Sequence, residues 1–283
     1  MRENNKKIKD TFVNFDNLGG KWFDRILLNG IKTINNYGLG NYSTNYNTWK
    51  RIEGIRELFR QETKKRKGSL QVLDVGCGDA LPLYILNAFK SSDVRFGFYG
   101  VDVSLLDLYF AEKLKALLEA NNFNFVIGQA ENLPYRDSSF DIIICSEVLE
   151  HLVYPEDCIK EIKRVLKNSG VTFISTPNES SFVKKVMKFS KFVRGGLKEE
   201  ISKPYDYDEH INVRSFKVWK TLFESIEFKI EKVKRHSILY GGYKHNRRRL
   251  LFAAMIVLDW ILDYLPFMQN FSEGIIFKLK RSL

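Results

Sequence analysis

Strand-like apolar segments recur along this chain at spacings that leave room for one helix between most neighbours, and that rhythm limits the fold more than any other feature. SLQVLDVG (69–76), FGFYGVDV (96–103), FNFVIG (123–128), FDIIICS (140–146) and GVTFIST (170–176) each read as a buried strand. LLDLYFAEKLKALLEAN (105–121) and PEDCIKEIKRVLKNSG (155–170) read as helices. In the second, Pro155 suits the first turn, Lys163, Arg164 and Lys167 suit the last, and Gly170 marks the stop. Strands and helices in alternation define an α/β protein: a parallel sheet with helices on both faces, binding its ligand at the carboxyl ends of the strands. At 283 residues, 44% apolar and 28% charged, the chain can bury such a core.

The carboxyl end of the first strand reads VLDVGCGDA, with Asp74, Gly76 and Gly78. Glycines there let the backbone turn tightly and let a ligand approach it. Asp102, at the end of the second strand, is placed to accept both hydroxyls of a ribose. A dinucleotide fingerprint needs a glycine at 81, where this chain has Leu, and no phosphate-loop Gly-Lys-Ser/Thr is present. A nucleoside without phosphate fits these residues better.

SEVLEHL (146–152) follows the fourth strand. If helical, it puts Glu147, Glu150 and His151 at i, i+3 and i+4 on one face. Two carboxylates and an imidazole so placed can bind a metal, supply a general base or solvate a helix start. Cys77 and Cys145 read as small core residues, with no activating base in sight.

Together, VLDVGCGDA, YGVDVS, GQAENLPYRDSSFDIIICSEVLEHL and EIKRVLKNSGVTFISTPN resemble the ordered motifs of class I S-adenosylmethionine-dependent methyltransferases. The likeness is to the branch of the ubiquinone-biosynthesis O-methyltransferases and small-molecule methyltransferases. It implies a Rossmann-like, seven-stranded, mostly parallel sheet with helices on both faces. It also implies S-adenosylmethionine as cofactor. Gly76 and Gly78 would lie against it, Asp74 would receive its ammonium, and Asp102, followed by Val103, would hold its ribose. Gln129 stands where the family has an Asp for the adenine amine, and its amide oxygen can accept that bond. Ala130 would pack by the adenine edge, Ser146 beside the sulfonium, and Arg51 near the cofactor carboxylate.

The ubiquinone-pathway enzymes, and the RNA 2'-O-methyltransferases that act on small-RNA 3' ends, associate a Glu-x-x-Glu-His of this form with a divalent cation. That implies Glu147, Glu150 and His151 as ligands with His210, from YDYDEHINVRSF, for Mg or Mn. His151, Glu147 and His210 are then the catalytic candidates, with His151 able to act alone as a base.

The expected organisation is an N-terminal helical cap over 1–67 and a methyltransferase domain over 68–283. Within it, 179–209 reads as a lid insertion with Gly195 and Gly196, and 247–267 as an apolar helix. That helix is expected to be buried against the last strands, walling an apolar pocket. Peripheral membrane contact, with Arg247, Arg248 and Arg249 meeting anionic head groups, is the alternative. Charge is divided unevenly: 15 Lys/Arg against 7 Asp/Glu in 1–67, 9 against 15 in 68–178, and 21 against 12 in 179–283. Basic flanks suit anionic partners or solvated helices. Three cysteines without a framework spacing, and no apolar leader in the first twenty residues, point to a cytoplasmic setting. The expected activity is methylation of an oxygen on a small or lipid-linked molecule. Methylation of RNA and a non-catalytic cofactor-binding subunit are the alternatives.

Overall fold

The computed structural model of the chain describes residues 42–87, 93–181, 210–238, 257–265 and 267–282. Five labelled helices are α1 (Tyr42–Thr63), α2 (Leu81–Asn87), α3 (Leu105–Leu118), α4 (Pro155–Val165) and α5 (Phe216–Ser225). Seven strands are β1 (Gly68–Val75), β2 (Val94–Asp102), β3 (Phe123–Ile127), β4 (Phe140–Ser146), β5 (Leu166–Pro177), β6 (Phe228–His236) and β7 (Gly274–Arg281). They form one sheet in the order β3-β2-β1-β4-β5-β7-β6. Strands β1 to β5 run parallel, while β7 enters antiparallel between β5 and β6. The strand order reverses between β1 and β4, where an open α/β sheet leaves its binding crevice.

Side-chain alternation explains the two cores. Leu70, Val72, Ile142, Ile144 and Phe173 face one side, with Ile55, Leu58 and Phe59 of α1 and Leu83 and Leu86 of α2. Leu73, Val75, Ile143, Cys145 and Ile174 face the other, with Ile159 and Ile162 of α4 and Trp219 and Phe223 of α5. Close approach of α1 depends on Gly54, where an added Cβ would lie 2.5 Å from Ile276 Cδ1. Lys278 of β7 also pairs with Glu62 of α1 at 2.7 Å, both buried.

Four expectations need revision or limits. The second helix ends at Val165, not at Gly170. Leu166 already pairs with Phe140, and Val171 pairs with Ile142, so residues 167–170 form a bulge in the ladder rather than a helical turn. Of the N-terminal segment, α1 shares a core with the sheet; residues 1–41, with the apolar positions from Trp22 to Ile34, lie outside the described residues. Only 179–181 of the lid insertion are described.

The fourth revision concerns the apolar segment 247–267, described only at 257–265 and at Phe267. There the buried-helix expectation fails. Residues 257–263 are helical, yet the acid Asp259 is fully buried while Trp260, Ile261 and Tyr264 are exposed. The reason is electrostatic: Lys50 Nζ of α1 reaches Asp259 at 3.0 Å and also pairs with Asp263, and Ile238 N–H donates to Asp259 Oδ1 at 2.5 Å. The helix is turned by its acids, not by its apolar residues. Among the described residues no helix is long and apolar enough to cross a membrane.

Candidate active site

Parity along the strands decides which side chains meet at the crevice. Asp74 continues the series 70, 72; Ser146 continues 142, 144; Ser175 continues 173. All three therefore point to the α1 face, where Arg51 lies. Arg51 Nη1 pairs with Glu147 Oε2 at 3.3 Å. Ser175 Oγ–H donates to Glu147 Oε1 at 3.1 Å. That uses the Ser175 proton, so Ser146 donates to Ser175 across 2.9 Å and keeps its own lone pairs as acceptors.

Two buried polar atoms in this cluster have no hydrogen-bond partner: Asp74 Oδ1, an acceptor, and Arg51 Nε, a donor. A buried acceptor and a buried donor left open, close enough for Arg51 to act on the Asp74 charge, fit the ammonium and carboxylate of an amino acid. Burial, reinforced by Asp102, pushes the Asp74 carboxyl well above its usual range, and Arg51 only partly offsets this. A cation bound beside Asp74 would favour its charged form.

The glycine turn has two distinct jobs. Gly76 has φ +69°, and a Cβ there would collide with the Val148 side chain, so its first role is to let the turn after β4 close on β1. Gly78 has φ +52° and nothing within 4 Å of a Cβ position, which leaves open space above the backbone. Asp102 braces the turn: Oδ2 accepts from Gly78 N–H at 2.7 Å and Oδ1 from Ser104 N–H at 2.8 Å. Each oxygen retains a second lone pair for ribose hydroxyls. Val103, next along, is exposed at the entry to α3, Ala130 is buried, and Gln129 is exposed in a turn closed by Asn132 N–H. These residues fit a nucleoside joined to an amino acid. Burial pushes the Cys77 thiol above the ordinary range, followed by the charges of Asp74 and Asp102, so it is a core residue and not a nucleophile.

SEVLEHL is not one helical face. Ser146 ends β4, Glu147 has a left-handed φ of +58°, and only Leu149–His151 makes a single 3-10 turn. Glu147 is thereby turned to Arg51 and Ser175, away from the other candidates, and the four-ligand set loses it. The remaining three converge: ligand atoms of Glu150, His151 and His210 lie within 4.8 Å of one another. The His151 and His210 rings meet edge to face, 4.8 Å between centroids. Asn212 stitches the two segments, its N–H donating to Glu150 O at 2.9 Å and its amide to Leu152 O, while Arg214 pairs with Glu156 at 2.9 Å. Glu150 is buried; both histidines are exposed.

Residues that sequence reasoning did not assign to the site include Ser175, Val148 and His236. Ser175 was findable by strand parity. His236 had no local signal: it is buried at the end of β6, Nδ1 lies 3.0 Å from Asn47 Oδ1, and its ring occupies the space a Gly274 Cβ would need.

An open α/β sheet with a glycine turn after its first strand, an Asp with lone pairs to spare at the end of the second, and an unpartnered buried acceptor and donor nearby suits a nucleoside ligand. A family model described as a methyltransferase domain matches residues 66–236, more than half of the chain, and the chain belongs to that family. Among curated relatives, the ubiquinone biosynthesis O-methyltransferase of Paraburkholderia phymatum is 34% identical over 111 residues, covering 39% of this chain and 45% of that protein. The uncharacterized protein MJ1123 of Methanocaldococcus jannaschii is 28% identical over 138 residues, covering 47% and 63%. The matches thus span about half the length of these relatives. The crystal structure of the PH0226 protein of Pyrococcus horikoshii OT3 superposes with a TM-score of 0.53 at 20% identity, covering 82% and 90%, a likeness of fold alone.

Proposed function

We propose that this enzyme methylates an oxygen atom of a small or lipid-linked acceptor, and that Glu150, His151 and His210 form the acceptor-activating end of the site. The convergence of these three side chains, from segments 59 residues apart, carries the reading. S-adenosylmethionine, when bound, supplies a methyl group already activated by the positive sulfur. The chain's task is therefore to place the acceptor oxygen in line, exclude water and manage one proton. Asp74 and Arg51 hold the amino-acid end, Asp102 the ribose, and Gln129 and Val103 the base. Ser146 and Ser175 relay a hydrogen bond to Glu147, which fixes Arg51.

The acceptor-side residues suit a divalent ion. Two ligands on one ion sit at most about twice a bond of ~2.1 Å apart, so the 4.8 Å set needs only small side-chain adjustment. Without Glu147 the donors are one oxygen and two imidazoles, which moves the preference from Mg towards Mn or Zn. Such an ion would lower the pKa of an acceptor hydroxyl. In its absence His151 is the base.

The test is methyl transfer from labelled cofactor to separate lipid, small-metabolite and RNA fractions, using chelator-stripped protein with Mg, Mn or Zn restored. We expect label in the first two fractions, metal-dependent, and falling about 100-fold or more in Glu150→Gln and in His210→Asn. Label confined to RNA, steeply lost with salt, would replace the acceptor assignment, the basic flanks being the support for that reading. Full activity after stripping would leave His151 alone as base.

A further inference from the structure

The helix over 257–263 reverses the usual arrangement of a surface helix. Its inward positions are Asp259 and Asp263, both held by Lys50. All six exposed residues of 257–265 are apolar: Val257, Leu258, Trp260, Ile261, Tyr264 and Leu265, and Phe267 lies just beyond. Positions 257, 261 and 264 are spaced i, i+4, i+7 and so form one stripe, opposite the acids. A water-facing stripe of this kind marks a contact surface.

We infer that this helix lies in the interface of an anionic lipid bilayer and holds the site's mouth against the membrane. The chemistry of the face supports that occupant. Trp260 and Tyr264, rings with one polar edge, suit the head-group boundary, and the stripe has the form of an in-plane amphipathic helix. The chain leading into it is strongly basic: residues 232–258 carry seven Lys/Arg (232, 234, 235, 244, 247, 248, 249) and no Asp or Glu. Arg249 is eight residues from Val257, hence within about 29 Å whatever its conformation. Each Lys or Arg near an anionic surface adds attraction. A second copy is disfavoured by charge, since a two-fold contact would bring together two chains of net +11.

Position gives the surface a purpose. The helix belongs to the connection between His236, which ends β6, and Gly274, which opens β7 opposite Pro177 at the end of β5. That is the carboxyl edge of the sheet, where Ser146 and the ligand trio lie. A cavity of about 550 Å³ beside the helix is lined by Trp49, Lys50, His236, Trp260, Tyr264 and Ile276. Docking there would present a lipid-linked acceptor directly, and this consequence, unlike the docking itself, rests on the function proposed above.

Flotation of the full chain with phosphatidylcholine vesicles, with and without 30% phosphatidylserine, tests it, alongside the triple variant Trp260→Ser/Ile261→Ser/Tyr264→Ser. We expect co-flotation with anionic vesicles, weakened by 0.5 M salt, and at least about tenfold less for the variant, whose S-adenosylhomocysteine binding and melting temperature stay unchanged. No vesicle binding by the parent chain, or binding that survives the triple substitution, overturns the inference. So does sedimentation showing a dimer that the variant dissolves. If the variant melts early, Trp260→Ser alone, on an exposed side chain, decides. Vesicle binding without methylation of any vesicle-borne acceptor would leave the docking intact and remove the lipid-linked acceptor. Turnover of a soluble acceptor with vesicles ignored would remove the docking and leave methylation of a small molecule standing.

Discussion

At the residue scale, function and stability oppose each other at Asp74. Its buried carboxyl has a raised pKa because burial and Asp102 disfavour the charge. The folded cofactor-free protein thus holds a proton there more firmly than the unfolded chain does, and this site weakens the fold as pH rises. Asp74→Asn is expected to stabilise the cofactor-free protein by about 1 kcal/mol at pH 8 while weakening cofactor binding roughly 10- to 100-fold, from the ~1.5–3 kcal/mol of a charge-assisted bond. Calorimetric titration with a parallel melt checks both; a variant that binds normally would sink the assignment. His236 runs the other way. Burial, then the charges of Arg51 and Lys50, lowers its pKa to about 3 from 6.5. Below pH 6.5 the unfolded chain takes up a proton that the folded one refuses, so stability falls between about pH 6.5 and 3, by ~1.4 kcal/mol per pH unit from this group. Urea melts across pH 7 to 4 should show a shallower slope for His236→Gln. Asp74 was legible in the sequence because its neighbours form a motif. His236 was not, because its partners Asn47 and Gly274 come from distant segments.

At the scale of elements, strands were legible because a parallel sheet buried on both faces reads as short apolar runs. Boundaries followed backbone detail that periodicity does not carry. The second helix gives way at Leu166 because that residue pairs with β4, although Lys167 and Gly170 look like a helix end. SEVLEHL failed as a helix for a similar reason: the left-handed Glu147 breaks the spacing rule, and the trio that assembles includes His210. The partner of α1 was also unreadable, since Glu62 and Lys278 are 216 residues apart. Burial alone would lower the Lys278 pKa, but its bonds to Glu62 and Glu231 raise it. Removing one side leaves a buried charge, so Lys278→Met should cost about 3 kcal/mol, the low end for buried pairs because Arg66 still serves Glu62. Adding Glu62→Gln should recover most of it. An additive double mutant in denaturant melts would show that the pair is not coupled.

For the whole molecule, α1 and β7 come from opposite parts of the sequence yet share one core, and Lys50 ties α1 to the β6–β7 connection through Asp259 and Asp263. Local opening of either end therefore uncovers the other, which argues for one cooperative transition rather than separate melting of a cap and a domain. The residues proposed to hold the cofactor lie on α1, β1 and its glycine turn, β2, the turn after β3 and the end of β4, so a ligand held there would bridge most of that unit. S-adenosylhomocysteine at about 100 times its dissociation constant adds about 2.7 kcal/mol. For a body of this size each kcal/mol moves the midpoint about 2–4 °C, giving a rise of about 5–10 °C. Circular dichroism and calorimetry should rise together by that amount, and Asp74→Asn should show a higher starting midpoint with little response to ligand. Two transitions, only one of them moved by S-adenosylhomocysteine, would mean that α1 does not belong to the body that binds it.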